Sequence, residues 1–159
     1  MFMGEYEHTI DAKGRVILPV KFRDELGPKF VVTRGLEGCL SVYTMEAWMR
    51  LAGSLKKLRA SKENVRAFKR FVFGSAAEVE FDKQGRILIP ATLRAYAKLV
   101  KDVTVLGTGD KVEIWSKELM KRMLPRPYRS WKKLRKVSTM PWTWTFRRNY
   151  EFSSRQCAS

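Results

Sequence analysis

The sequence predicts a mainly β, α+β protein built from two similar halves that pair into one barrel-like body. Two observations predict it. A nine-residue segment occurs twice, as Asp11-Ala-Lys-Gly-Arg-Val-Ile-Leu-Pro19 and as Asp82-Lys-Gln-Gly-Arg-Ile-Leu-Ile-Pro90, with Asp, Gly, Arg and Pro matched at a constant offset of 71. The stretches around each copy alternate polar and apolar residues or run β-branched, as half-buried and buried strands do.

Each element follows in order. Glu5 to Ile10 and Ala76 to Phe81 alternate and read as the strand entering each copy. Gly14 and Gly85 mark tight turns, because glycine adopts a positive φ at least cost. Pro19 and Pro90 fit the first turn of a short helix, where a missing N–H leaves nothing unpaired. Arg23 and Arg94 keep the same offset. Phe30-Val-Val-Thr33 and Val103-Thr-Val-Leu106 are the next strands, followed by Cys39 to Tyr43 and Lys111 to Trp115. Thr44 and Ser116 are helix caps. The halves span residues 5–47 and 76–119, with a helical linker at 48–75 and a basic tail at 120–159. A half of about 45 residues is too small to bury a good core alone, so the two are expected to close around a pseudo-twofold axis.

In the linker, Met45 to Ala52 and Leu55 to Leu58 have helical spacing. Ser61 is the expected cap of a second helix carrying Val65, Phe68, Phe71 and Val72 on one face. Lys69 and Arg70 lie among these aromatics. Such a segment either contacts nucleic acid or packs its aromatics inward with its charges in water.

Charge narrows the partners. The formal net charge is +16. Residues 1–120 hold 21 Lys and Arg against 15 Asp and Glu, whereas residues 121–159 hold 11 against 1, so most of the excess lies in the tail. A polyanionic partner is indicated, with the tail judged separately. No apolar run reaches the ~18 residues of a membrane span. The first residues lack the basic and apolar regions of a secretory leader, so a cytoplasmic protein is expected. Cys39 and Cys157 lack metal-ligand spacing and cannot build a disulfide framework. Cys39 is expected to be partly buried. His8, the only histidine, sits on an alternating strand. No acid pair, Ser-His-Asp set, metal cluster or glycine-rich phosphate loop accompanies it, so neither an enzyme nor a cofactor is expected.

The repeated turn carries the chemistry. Lys13 and Arg15 flank Gly14; Lys83 and Arg86 surround Gly85. An arginine fork can grip a phosphate or the O6/N7 edge of guanine. Asp11 and Asp82 stand four residues before each Arg. Each can orient the Arg, cap the turn's backbone N–H groups, or do both. A plain Asp–Arg lock on a hairpin would look the same in sequence. Two such turns on one body suit a DNA duplex.

These residues carry a family resemblance. The opening Met1 to Arg15, the Leu-Pro-Val-Lys-Phe-Arg that follows, Thr33 to Leu40 and the second Asp-Lys-Gln-Gly-Arg resemble the MraZ family of bacterial regulators, over about residues 1–120. The resemblance implies two AbrB-type halves with swapped hairpins and a ring-shaped homo-oligomer associated with the nucleoid. It also implies binding of double-stranded DNA at short direct repeats upstream of the division and cell-wall gene cluster, its own promoter included, with repression as the expected outcome. The family's Asp-x-x-x-Arg signature falls on Asp11 with Arg15 and on Asp82 with Arg86. The competing readings are an AbrB-like antitoxin, which usually carries one half, and an oligomeric structural protein without specific DNA binding.

The tail departs from the family, whose chains usually end in an acidic amphipathic helix. Here Leu124-Pro-Arg-Pro and the Trp131, Trp142 and Trp144 stretch have no helical periodicity. A basic-aromatic arm is one reading. Translation out of frame is the preferred one. Read one base back, Trp131-Lys132 yields Glu, Met140-Pro141 yields Ala, and Trp142-Thr143 and Trp144-Thr145 each yield Asp. Phe146-Arg147 can hold a stop codon. An acidic end of the family's kind results.

Overall fold

The alternation around each motif becomes strand, and the proline that ends each motif leads into a short helix. In a computed structural model, residues 1–123 are described. The first copy contributes β1 (Phe2–Thr9), β2 (Arg15–Ile17), α1 (Val20–Leu26), β3 (Lys29–Arg34) and β4 (Leu40–Thr44). Two helices follow, α2 (Met45–Lys56) and α3 (Glu63–Phe73). The second copy contributes β5 (Ala77–Glu80), β6 (Arg86–Leu88), α4 (Ala91–Tyr96), β7 (Asp102–Gly109) and β8 (Val112–Ser116), and α5 (Lys117–Met123) closes the described chain. The fold is α+β with antiparallel pairing throughout these strands.

Six strands form one sheet in the order β1-β7-β8-β4-β3-β5, and β2 pairs with β6 as a separate two-stranded ribbon. Hairpins β3–β4 and β7–β8 pair within a copy; β1–β7, β3–β5, β4–β8 and β2–β6 all pair between copies. The expected barrel-like body is not a closed barrel. β1 and β5 end the sheet and do not pair with each other. The ribbon touches the β1 side through a single bridge, Ile10 with Val16, and does not join β1 to β5.

One contiguous core draws on both copies. Val16, Leu18, Phe22, Ile87, Ile89 and Leu93 of the ribbon and short helices pack with Phe30, Leu40, Val42, Val103 and Ile114 of the sheet, all 0% exposed. Phe22 sets its ring edge-on against Phe2 and Tyr6, with centroids 5.6 and 5.3 Å away. Burial of a Leu, Ile or Phe side chain contributes about 1.5–3 kcal/mol. A one-residue slip of the ribbon would expose Val16 and Ile87 and bury Arg15 and Arg86, so its register is strongly specified.

Thr44 caps α2, its hydroxyl accepting from the Ala47 N–H at 3.1 Å. Ser61 does not cap α3. The cap position falls on Lys62, without a side-chain bond. On α3, Val72 is buried, Val65 and Phe71 are half-buried, and Phe68 is exposed. The tail from residue 124 onward, with Cys157 and the tryptophans of the out-of-frame reading, lies outside the described residues. Among the described residues no helix is long and apolar enough to cross a membrane.

Candidate functional site

Each motif folds around its aspartate. In the first turn Asp11 Oδ1 accepts from the backbone N–H of Lys13 at 3.0 Å and of Arg15 at 2.9 Å, while Oδ2 accepts from Arg15 Nε at 2.6 Å. The second turn repeats the pattern: Asp82 Oδ1 takes the N–H groups of Gln84 and Arg86, both at 2.9 Å, and Oδ2 takes Arg86 Nε at 2.7 Å. The backbone closes likewise, with the Gly14 N–H donating to the Asp11 carbonyl at 2.9 Å and the Gly85 N–H to Asp82 at 3.0 Å. Each aspartate therefore both caps its turn and orients its arginine. The backbone N–H of Arg15, followed by its side chain, holds the Asp11 carboxyl below the usual carboxylate range, and Arg86 does the same for Asp82. Gly14 and Gly85 sit at φ +87° and +75°, as tight turns of this kind require.

With Nε committed to the aspartate, the Nη edge is what each arginine can offer a ligand. Among the described residues the Arg15 Nη atoms have no hydrogen-bond partner, while Arg86 Nη2 donates to Gln84 Oε1 at 3.0 Å. The lysines are not equivalent. Lys13 is the second residue after its aspartate and Lys83 the first, so Gln84 stands where Lys13 does. Both lysines are exposed.

The ribbon brings the two turns together. Arg15 pairs with Leu88, Val16 with Ile87 and Ile17 with Arg86. Directly opposite residues share a face, so Arg15, Ile17, Arg86 and Leu88 project outward and Val16 and Ile87 inward. Each turn is also tied to the other copy's strand: the Ile89 N–H donates to the Gly14 carbonyl at 2.9 Å and the Leu18 N–H to the Gly85 carbonyl at 3.4 Å.

Two further arginines belong to this surface. A Cβ added to Gly14 would lie 2.5 Å from Cζ of Arg94, and one on Gly85 would lie 2.5 Å from Cζ of Arg23 and overlap its Nη1. The arginine of each short helix thus lies across the glycine of the other copy's turn. Nε of both is buried and unpartnered among the described residues. The sequence signal was present, in the constant offset between Arg23 and Arg94, but pointed to repetition and not to a site. Six cationic side chains, Lys13, Arg15, Arg23, Lys83, Arg86 and Arg94, thus sit on or against the two turns, whose own carboxylates are Asp11 and Asp82.

The remaining candidates lie elsewhere. His8 is half-buried on β1, and burial lowers its pKa. Cys39 is fully rather than partly buried; its thiol donates to the Leu36 carbonyl at 3.2 Å, and burial pushes its pKa up to about 12. Among the described residues no three His, Cys, Asp or Glu side chains converge to hold a metal ion.

The chain has relatives among known proteins. A family model described as "MraZ protein, putative antitoxin-like" matches residues 1–71 and again residues 72–135. The chain belongs to the MraZ family. It is 60% identical over 119 residues to "Transcriptional regulator MraZ" of Thermoanaerobacter sp. (strain X514), covering 75% of this chain and 83% of the relative. The proteins of that name from Acetivibrio thermocellus and Moorella thermoacetica are 56% and 55% identical over 117 residues, covering 74% of this chain and 82% of each relative. The division of the MraZ match near residue 71 agrees with the offset between the two motifs.

Proposed function

We propose that this protein is a transcriptional regulator that binds double-stranded DNA through its two Asp–Arg turns. One observation carries the reading: the same hydrogen-bonded turn is built twice and joined by one ribbon, each copy holding its arginine by Nε on the aspartate, with Arg15 Nη free of partners among the described residues and Arg86 Nη2 shared with Gln84. The names of the relatives support the regulator, and the pairing of strands between copies supports two AbrB-type halves with swapped hairpins about a pseudo-twofold axis.

Arg15 and Arg86 donate to guanine edges or to phosphates, Lys13 and Lys83 to phosphates, and Asp11, Asp82, Gly14 and Gly85 hold the turns in shape. Phosphate contacts supply much of the affinity, with a salt slope of about −0.9 per phosphate neutralised. Each good arginine–guanine pair contributes about 1–3 kcal/mol of discrimination. One chain places few cations on DNA and binds weakly; a ring of chains on successive direct repeats gains through effective concentration. Its site is the DNA upstream of the division and cell-wall gene cluster, its own promoter included, where occupancy excludes polymerase. That places the protein in the cytoplasm, on the nucleoid, acting without catalysis or cofactor.

Fluorescence anisotropy on the full chain, with its own upstream DNA and a scrambled duplex across a salt series, tests this. Preference for the upstream DNA that is lost in Arg15→Ala is the expected result. Equal binding of both duplexes would refute it and leave an oligomeric structural role; a preference indifferent to Arg15→Ala would refute the assignment of DNA contact to the turns. Light scattering of the free and bound protein tests the ring.

A further inference from the structure

The outward face of the ribbon is not purely cationic. Ile17 is 44% exposed and Leu88 58% exposed, at the same position of each motif, two residues after the arginine. A solvent-facing strand position normally carries a polar side chain, as exposed apolar surface gains nothing from water. Here the inward positions are already filled by Val16 and Ile87. The outward face therefore reads Arg15 beside Leu88 and Ile17 beside Arg86, two cations and two aliphatic groups on one short ridge.

We propose that Ile17 and Leu88 are specificity-determining residues that meet thymine methyl groups in the DNA major groove, beside the bases contacted by Arg15 and Arg86. The inference rests on the DNA-binding reading above and goes further by assigning base contacts to two uncharged residues.

Three observations favour a duplex as occupant. The major groove admits a two-stranded β-ribbon. Arg15 and Arg86 are diagonal neighbours on that ribbon, about 7–8 Å apart at the backbone. That distance covers about two base steps of ~3.4 Å, so the aliphatic groups fall on the pairs adjoining those the arginines reach. The face is also charge-complementary to a groove with anionic walls: Asp11 and Asp82 receive Nε of the two arginines, the Arg15 Nη atoms have no hydrogen-bond partner among the described residues, and Arg86 shares only Nη2, with Gln84. An apolar protein surface laid on this ridge would strip water from two guanidinium groups without supplying acceptors. A major-groove floor supplies acceptors on guanine and an apolar methyl on thymine side by side.

The test replaces dT by dU, which removes the methyl and keeps every hydrogen-bonding group. The upstream duplex is prepared in both forms, and anisotropy measures the ratio of the two dissociation constants for the full-length protein and for Ile17→Ala/Leu88→Ala. The wild-type protein should bind the dU duplex more weakly by about fourfold for each thymine methyl that Ile17 or Leu88 covers. In the double variant the ratio should fall towards one; this difference is free of any effect of dU on duplex shape. A wild-type ratio near one, or the same ratio in both proteins, overturns the assignment while specific, Arg15-dependent binding still stands. Loss of specific binding in the wild-type protein overturns both readings. A changed oligomer mass for the double variant in light scattering assigns the face to contact between copies and overturns it too.

Discussion

Replacing Gly85 by Ala should destabilise the fold through two separable effects. The first is local: at φ +75° an L-residue costs roughly 1–2 kcal/mol. The second is the arginine lying across the turn. A Cβ there would overlap Nη1 of Arg23 and come within 2.5 Å of Cζ, so the guanidinium must swing off its rotamer or leave the turn. An off-rotamer side chain costs about 0.5–1.5 kcal/mol. The total is roughly 1.5–3.5 kcal/mol. The two parts come apart in a double-mutant cycle with Arg23→Ala. The φ penalty appears in both arms and cancels, so the double variant should be less destabilised than the sum of the single ones by about 1 kcal/mol. Urea unfolding followed by Trp fluorescence measures it, at one fixed protein concentration because an oligomer's stability depends on concentration. Additivity to within about 0.3 kcal/mol would refute the claim that Arg23 lies on this turn. Gly14→Ala with Arg94→Ala gives the same cycle for the other turn.

Other perturbations separate the roles within the site. Arg15→Lys keeps the charge and loses the planar fork, so preference for upstream over scrambled DNA should fall by about five- to 150-fold while the salt slope stays unchanged; an unchanged preference in anisotropy would exclude a bidentate arginine contact. Gln84→Lys makes the second turn resemble the first and releases Arg86 Nη2, so binding to any duplex should tighten and the salt slope steepen by about 0.9; equal slopes would mean that this position is off the DNA. Burial lowers the pKa of His8, so its share of stability is complete above the unfolded value of about 6.5 and declines as pH falls through it. His8→Gln should therefore flatten the drop in urea midpoint between about pH 7 and pH 5.5, and equal drops would clear His8 of that role. Sequencing the gene across codons 118 to 148, with the mass of the natural protein, decides the tail: an intact frame sinks the out-of-frame reading.

Local features were legible and relations between copies were not. The positive φ of Gly14 and Gly85, the Thr44 cap and the strand character of Phe30 to Thr33 follow from residue type and short-range pattern. Ser61 has the right chemistry for a cap, yet α3 starts at Glu63, two residues later; cap preference acts only where the chain already turns into the helix. The inequivalence of Lys13 and Lys83 is readable by aligning the motifs residue by residue. Arg23 and Arg94 cannot be placed from sequence. The glycine under each belongs to the other copy, and only the pairing of β2 with β6 brings them together. Closure into a barrel fails as an expectation for a related reason, since nothing in the alternation of β1 or β5 tells whether an edge has a neighbour.

The interleaving of the strands also sets a timetable. Phe2 pairs with Gly109 and Thr9 with Asp102, so β1 leaves the ribosome about 100 residues before β7, its partner among the described strands, exists. At roughly 5–20 residues per second that is a wait of about 5–20 s. β2 waits for β6 and β4 for β8 in the same way. Synthesis is therefore a period in which the first motif is complete in sequence while β1, β2 and one edge of β4 lack the partners they have in the finished fold. A change of sequence beyond codon 116 touches none of the described strands, the last of which ends at Ser116.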